Sequence, residues 1–151
     1  IRKTKKIRHL LVQKKKLILV SASDAVTAKL IEEAEFDGIW ISGFEVSATL
    51  GLTDDRSITM TEMLNVAKPI VDATTLPVAV DVDDGYGNLN NFIRTVKEFE
   101  KIGCSGICIE DSISPNKNSL VREKSSFIPM EEQGLKIRAG KDAQKTKETI
   151  Y

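Results

Sequence analysis

Asp81, Asp83 and Asp84 stand together at the end of one apolar run, and Glu110 and Asp111 stand at the end of another. If both runs are strands, five carboxylates crowd one rim, with no Lys or Arg among them in sequence. Like charges that close raise one another's pKa and oppose folding unless something cationic sits between them. A hard, partly hydrated dication answers that need. Mg²⁺ with one or two direct carboxylates and several waters suits the set better than a Ca²⁺ cage. Zinc is disfavoured, because the only histidine, His9, lies in the N-terminal segment and Cys104 and Cys108 share one apolar run. Acidic loops at strand ends also occur as plain solvated turns, and these residues alone leave both readings standing. A second polar group is Ser42-Gly43-Phe44, followed by a loop that holds Asp54 and Asp55. Gly43, Gly85 and Gly87 permit close approach of the backbone to a ligand, although turns use glycine too. The Ser-, Asn- and Lys-rich run 115–126 is longer than a connector requires, and reads as a mobile lid or as a disordered surface loop.

The elements that must position these groups alternate between two periods. Short apolar runs at 17–22, 38–42, 77–82 and 106–109 predict strands, the first buried on both faces. Between them, Ser23 or Asp24 caps a helix with Ala28, Ile31 and Ala34 inward, and a helix over about 59–73 contains Pro69, which should kink or shorten it. Asn88 to Asn91 caps a third helix with Phe92, Val96 and Phe99 on one face and Gly103 as its stop. A last helix is expected from about 129 to 144. Strands and helices alternating at this spacing make βα units and a parallel sheet. Four units fit an open doubly wound sheet or half of an eight-stranded barrel, since a complete barrel takes about 250 residues. Both architectures place their sites at strand carboxyl ends.

The 151 residues, 41% hydrophobic and 29% charged, belong to a globular chain, and no run approaches the roughly 18 apolar residues of a membrane span. A soluble, intracellular and cytoplasmic protein is the expectation. Residues four apart on one strand cannot join in a disulfide, so Cys104 and Cys108 are expected to be reduced core thiols. The net charge of zero divides unevenly: residues 1–16 hold eight basic side chains and no acid, and the remainder carries 14 basic against 22 acidic groups, a net of −8. A basic leader also suits nucleic acid or a membrane surface. Ile7, Leu10, Leu11 and Val12, however, give it an apolar stripe. A docked amphipathic helix over 1–16 is expected, with neither nucleic acid nor membrane as partner.

Three segments carry a resemblance: G-I-W-I-S-G-F-E-V-S-A-T-L-G at 38–51, D-V-D-D-G-Y-G-N at 81–88 and E-D-S-I-S-P-N-K-N-S-L at 110–120. With matching spacing over 17–144, they resemble the phosphoenolpyruvate mutase family of the isocitrate lyase and phosphoenolpyruvate mutase superfamily. The resemblance implies a parallel (β/α)₈ TIM barrel of which 17–151 is the N-terminal half. It implies a homo-oligomer, a dimer or a tetramer of helix-exchanging dimers, that requires Mg²⁺ and interconverts phosphoenolpyruvate and phosphonopyruvate, the step that makes the carbon–phosphorus bond in phosphonate biosynthesis. Carried over by position, Asp81 is the direct metal ligand, and Asp83 and Glu110 hold metal-bound waters. Backbone N–H groups of Gly43 and Phe44, with Ser42, bind the carboxylate and enolate side of the substrate, and Trp40 walls the pocket. Asp54 lies beside the transferring phosphoryl group, and Asn118 and Ser119 contact its oxygens from a gating loop.

The chain departs from that pattern where Ser112 and Asn116 replace lysines, with Lys117 one place along. A phosphonopyruvate hydrolase therefore stands as the alternative, and a non-catalytic cation-binding βα module as one of another class. The K-[KR]-C-G-H loop of the superfamily's carbon–carbon lyases is absent from these residues, so lyase activity of the isocitrate or methylisocitrate kind is not expected. The family's later active-site Arg and His would lie beyond Tyr151. The expectation is a segment of a longer polypeptide, inactive alone, with two associating halves as the other possibility.

Overall fold

The structure, a computed structural model, describes residues 3–14, 16–113 and 126–145. Three of its helices begin where a side chain replaces missing backbone partners. Asp24 caps α2 (Ala25–Glu33; α1 is Lys3–Lys14), accepting from the Thr27 N–H at 2.8 Å. Directly after the second strand's end, residues 43–49 form a short helix, α3 (Gly43–Thr49). Thr59 opens α4 (Met60–Ala73) and Asn88 opens α5 (Leu89–Ile102), each in a reciprocal capping box with the residue three further on, Glu62 or Asn91. Gly103 ends α5 at φ 96°, a left-handed cap that glycine adopts without a Cβ penalty. Helix α4 continues through exposed Pro69 to Ala73, so its regular part is not cut short there.

Four strands, β1 (Leu19–Ser21), β2 (Gly38–Ile41), β3 (Val78–Asp81) and β4 (Gly106–Cys108), pair in parallel in the order β1-β2-β3-β4. A doubly wound sheet reverses its strand order at a switch point, whereas a barrel adds each strand beside its predecessor. The order here is unbroken. Helices α2 and α4, α4 and α5, and α5 and α6 (Met130–Ala143) pack as successive neighbours. The architecture is α/β of the (β/α)₈ TIM-barrel type, represented by four βα units.

Strand register divides the sheet into two faces. Ile39, Ile41, Val78, Val80 and Ile107 enter the core beneath the helices, where Phe92, Val96 and Phe99 are fully buried. The opposite face carries the alternate positions: Trp40 pairs with Ala79, Ala79 with Gly106, and Asp81 with Cys108. Ala79 and Gly106 are buried on that face, whereas β1, expected to be buried on both faces, has Leu19, Val20 and Ser21 all only half-buried, because it lies at the edge of the sheet. Trp40 and Asp81 are half-buried and Cys108 is exposed, so of the two cysteines only Cys104 is a core thiol.

Two helix faces also differ from expectation. Ala34 is the C-cap of α2 and is exposed, because the helix has already ended there. In α1, Thr4 and Ile7 face the body, while Leu11 is partly exposed and Val12 is 83% exposed, a further 100° round the helix. The buried stripe is thus narrower than four apolar residues. The Lys3 ammonium donates to the Val71 carbonyl, and Lys14 pairs with Asp37 at 2.5 Å. No helix among the described residues is long and apolar enough to cross a membrane.

Candidate functional site

The carboxyl ends of β2, β3 and β4 bring the expected groups to one rim. Asp81 is the last residue of β3, and its Oδ1 accepts the backbone N–H of Asp83 at 3.1 Å. The Gly43 N–H, at the start of α3, also faces the Asp81 carboxylate and favours its charged form. A Cβ added at Gly43 would sit 3.6 Å from Asp81 Oδ2 and 3.8 Å from Asp83 Oδ1. Glycine at this point keeps the space against both carboxylates open. Ser42 is the N-cap of α3 but makes no side-chain capping bond, Trp40 is half-buried, and Phe44 is 53% exposed.

Glu110 is tied to the same loop, donating its backbone N–H to the Asp83 carbonyl at 2.6 Å. Asp54 is half-buried in the turn before α4, and its charge is felt by Asp81 and Asp83. Burial, reinforced by Glu110 and Asp54, pushes the Asp81 carboxyl up to about 6. Burial and the neighbouring Asp81 and Glu110 charges push Asp83 up to about 7, against the pull of Arg56. The Cys108 thiol is pushed up by burial and by Asp81 and Glu110. Three of the four non-glycine residues with positive φ among those described lie here: Arg56 (68°), Asp83 (49°) and Tyr86 (63°). Backbone strain of this kind persists only where surrounding structure imposes it.

Folding brings two cations to the rim from elsewhere in the sequence. Arg56 donates from Nη2 to Glu110 Oε2 at 3.1 Å, and its Nη1 lies 4.0 Å from Asp84 Oδ2. Lys136 of α6 donates to the carbonyls of Asp84 and, at 2.8 Å, Gly87. Neither lies between the acids in sequence, so only folding brings them in. The sequence carried no specific signal for Arg56, because its partners Glu110 and Ser112 lie 54 and 56 positions away. Ser112, where the resembled pattern carries lysine, accepts from Arg56 instead, at 2.5 Å on Oγ. A cleft of about 490 Å³ opens beside the rim, lined by Arg56, Thr59, Asp83, Asp84, Tyr86 and Arg94 among others. Asn118, Ser119 and the rest of the expected gating loop lie outside the described residues.

The donor set fits a magnesium ion. It consists of carboxylates, of which half-buried Asp81 and buried Asp83 repel each other around the space that Gly43 leaves. Among the described residues no three His, Cys, Asp or Glu side chains close into a ready cage. Mg²⁺ needs none, because it retains several waters and takes one or two carboxylates directly.

The family pattern described as phosphoenolpyruvate phosphomutase matches residues 7–150. The chain belongs to this family. Among the relatives of this family member, the phosphoenolpyruvate phosphomutase of Tetrahymena pyriformis is 37% identical over 144 residues, covering 95% of this chain and 48% of that protein. The 2,3-dimethylmalate lyase of Eubacterium barkeri is 41% identical over 142 residues, covering 92% and 48%. A solved phosphonopyruvate hydrolase in complex with oxalate and Mg²⁺ superposes with a TM-score of 0.90 at 29% identity, covering 99% of this chain and 51% of that one. The chain spans about half the length of the curated relatives it matches. Mutase, lyase and hydrolase thus stand at comparable distance from this phosphomutase-family chain.

Proposed function

We propose that this chain is the metal-binding half of a Mg²⁺-dependent phosphoenolpyruvate mutase that interconverts phosphoenolpyruvate and phosphonopyruvate. The observation that carries the reading is the convergence of Asp81 and Asp83, both with raised proton affinity, on the space beside Gly43. On this reading Asp81 holds the ion directly, and Asp83 and Glu110 hold its waters. The ion supplies Lewis acidity that polarises the enolate oxygen of the substrate.

The chain's own residues bind and orient. Trp40 walls the pocket, and Ser42 is available to the substrate because it makes no capping bond. With the Gly43 N–H facing Asp81, the Phe44 N–H is the backbone donor assigned to the substrate carboxylate. Asp54 stands beside the phosphoryl group, and the family resemblance assigns its oxygens to Asn118 and Ser119. Substrate and product are isomers, so a loose phosphoryl transfer asks chiefly for positioning and charge stabilisation, with water kept out. Water that reached the phosphoryl group would make the same site a phosphonopyruvate hydrolase. The likeness to the Mg²⁺–oxalate hydrolase structure, with Ser112 and Asn116 at the lysine positions, favours that as the second reading. The working unit on this account is a cytoplasmic homo-oligomer of a polypeptide that completes the barrel.

The test is ³¹P NMR of phosphonopyruvate incubated with Mg²⁺ and the longest native polypeptide that contains these residues. A phosphoenolpyruvate resonance supports the mutase. Inorganic phosphate as the sole phosphorus-containing product supports the hydrolase and defeats the mutase.

A further inference from the structure

Arg56 lies in the turn before α4, 54 positions ahead of Glu110, and its side chain is only 7% exposed. Its Nη2 donates to Glu110 Oε2 at 3.1 Å and to Ser112 Oγ at 2.5 Å, while Nη1 donates to the Ser112 carbonyl at 2.9 Å. Ser112 Oγ in turn donates to the same Glu110 oxygen at 3.0 Å, closing a three-membered grip. Ser112 also forms the antiparallel bridge to Phe127 that precedes α6. The left-handed backbone at Arg56, φ 68°, is one that a non-glycine residue holds only under external constraint.

We infer that Arg56 is a positioning residue, whose guanidinium fork sets the Glu110 carboxylate for the cation and fastens it to the Ser112–Phe127 bridge. A planar fork with fixed donors dictates where an acceptor lies, whereas an ammonium acts as a point charge. Carboxylates that serve a metal depend on such outer partners for their orientation. The inference rests on the reading of the rim as a Mg²⁺ site.

Calorimetric Mg²⁺ titration of the native polypeptide, of Arg56→Lys and of Arg56→Ala tests it, with amide hydrogen exchange at Ile113 as a readout independent of the ion. Both variants are expected to bind Mg²⁺ about 10- to 100-fold more weakly, the range for loss of an outer partner. Lysine should do no better than alanine, and free guanidinium should restore affinity to Arg56→Ala. Exchange at Ile113, whose N–H donates to the Ser126 carbonyl at 2.8 Å, should accelerate in both. Arg56→Gly, which relaxes the positive φ, replaces the alanine variant if that fails to fold. If Arg56 were only a counter-charge, its removal would tighten Mg²⁺ binding and lysine would preserve the native affinity; either result, or unchanged exchange at Ile113, overturns the inference. Absence of Mg²⁺ binding by the unsubstituted protein is a different failure, since it overturns the metal reading beneath.

Discussion

Asp83 donates its backbone N–H to Asp81 Oδ1 at 3.1 Å, so one carboxylate rests on the peptide of the next acid in the rim. The contact favours charge on Asp81, yet burial and the surrounding acids outweigh it and leave both groups with raised proton affinity, at about 6 and about 7 against an ordinary 3.8. The folded protein consequently keeps protons that the unfolded chain has already lost. Where the native state binds more protons, stability falls as pH rises. The metal-free protein should lose thermal stability between about pH 4 and pH 7 from this pair, then level off. Melting curves in chelator across that range check the sign, and Asp81→Asn should flatten the slope. Millimolar Mg²⁺ should raise the melting temperature at pH 8 and do little at pH 4.5, where protons compete for the carboxylates. A metal-free melting temperature that is flat or rises over this interval, in wild type and Asp81→Asn alike, would contradict the account.

Gly43→Ala offers a separation of fold from site. The added methyl meets no atom closer than 3.6 Å, and Gly43 is the first residue of α3 rather than an interior one, so the exchange changes helix propensity little. The melting temperature of the metal-free protein should stay about the same. The methyl nevertheless lies against both Asp81 and Asp83 oxygens, so Mg²⁺ affinity should drop by about tenfold or more, the scale seen when a metal site's immediate surroundings are altered. Unchanged affinity in calorimetry would show that the ion does not use this space.

The two cysteines should react very differently. Complete burial pushes the Cys104 thiol up to about 12, and reactivity follows the thiolate and its exposure. Cys108 is accessible on the open face, and its thiol is raised by the surface packed around it and by the neighbouring Asp81 and Glu110. In the native protein, a thiol reagent at pH 8 to 9 should label Cys108 slowly and leave Cys104 untouched, with both labelled after denaturation. Mass spectrometry of the labelled peptides decides it, and equal native labelling of the two would contradict the face assignment.

What could be read from sequence was local. Asn88 with Asn91, the Phe92-Val96-Phe99 face and Gly103 all act within one helix, and each signal has a reach of a few residues. The gathering of Asp81, Asp83 and Glu110 followed as well, because strand ends share a rim whatever the sheet order. Arg56 was not legible, since its partners Glu110 and Ser112 are more than fifty positions away and only the fold brings them together. The exposure of Cys108 was hidden for another reason. Its short apolar run suits a strand covered on both faces, and which side the helices cover depends on β3 and β4 pairing in register. The choice between barrel and doubly wound sheet likewise needed the strand order, a property of pairs of elements.

The central claim is that the acidic rim beside Gly43 is a Mg²⁺ site whose direct ligand is Asp81, and its most direct measurement is calorimetric titration of this chain with Mg²⁺, with and without Asp81→Ala. The account predicts saturable binding at one site that disappears in the variant while the variant remains folded by circular dichroism. Heat flow no greater than dilution in the unsubstituted chain, or a binding curve that Asp81→Ala leaves unchanged, would contradict it.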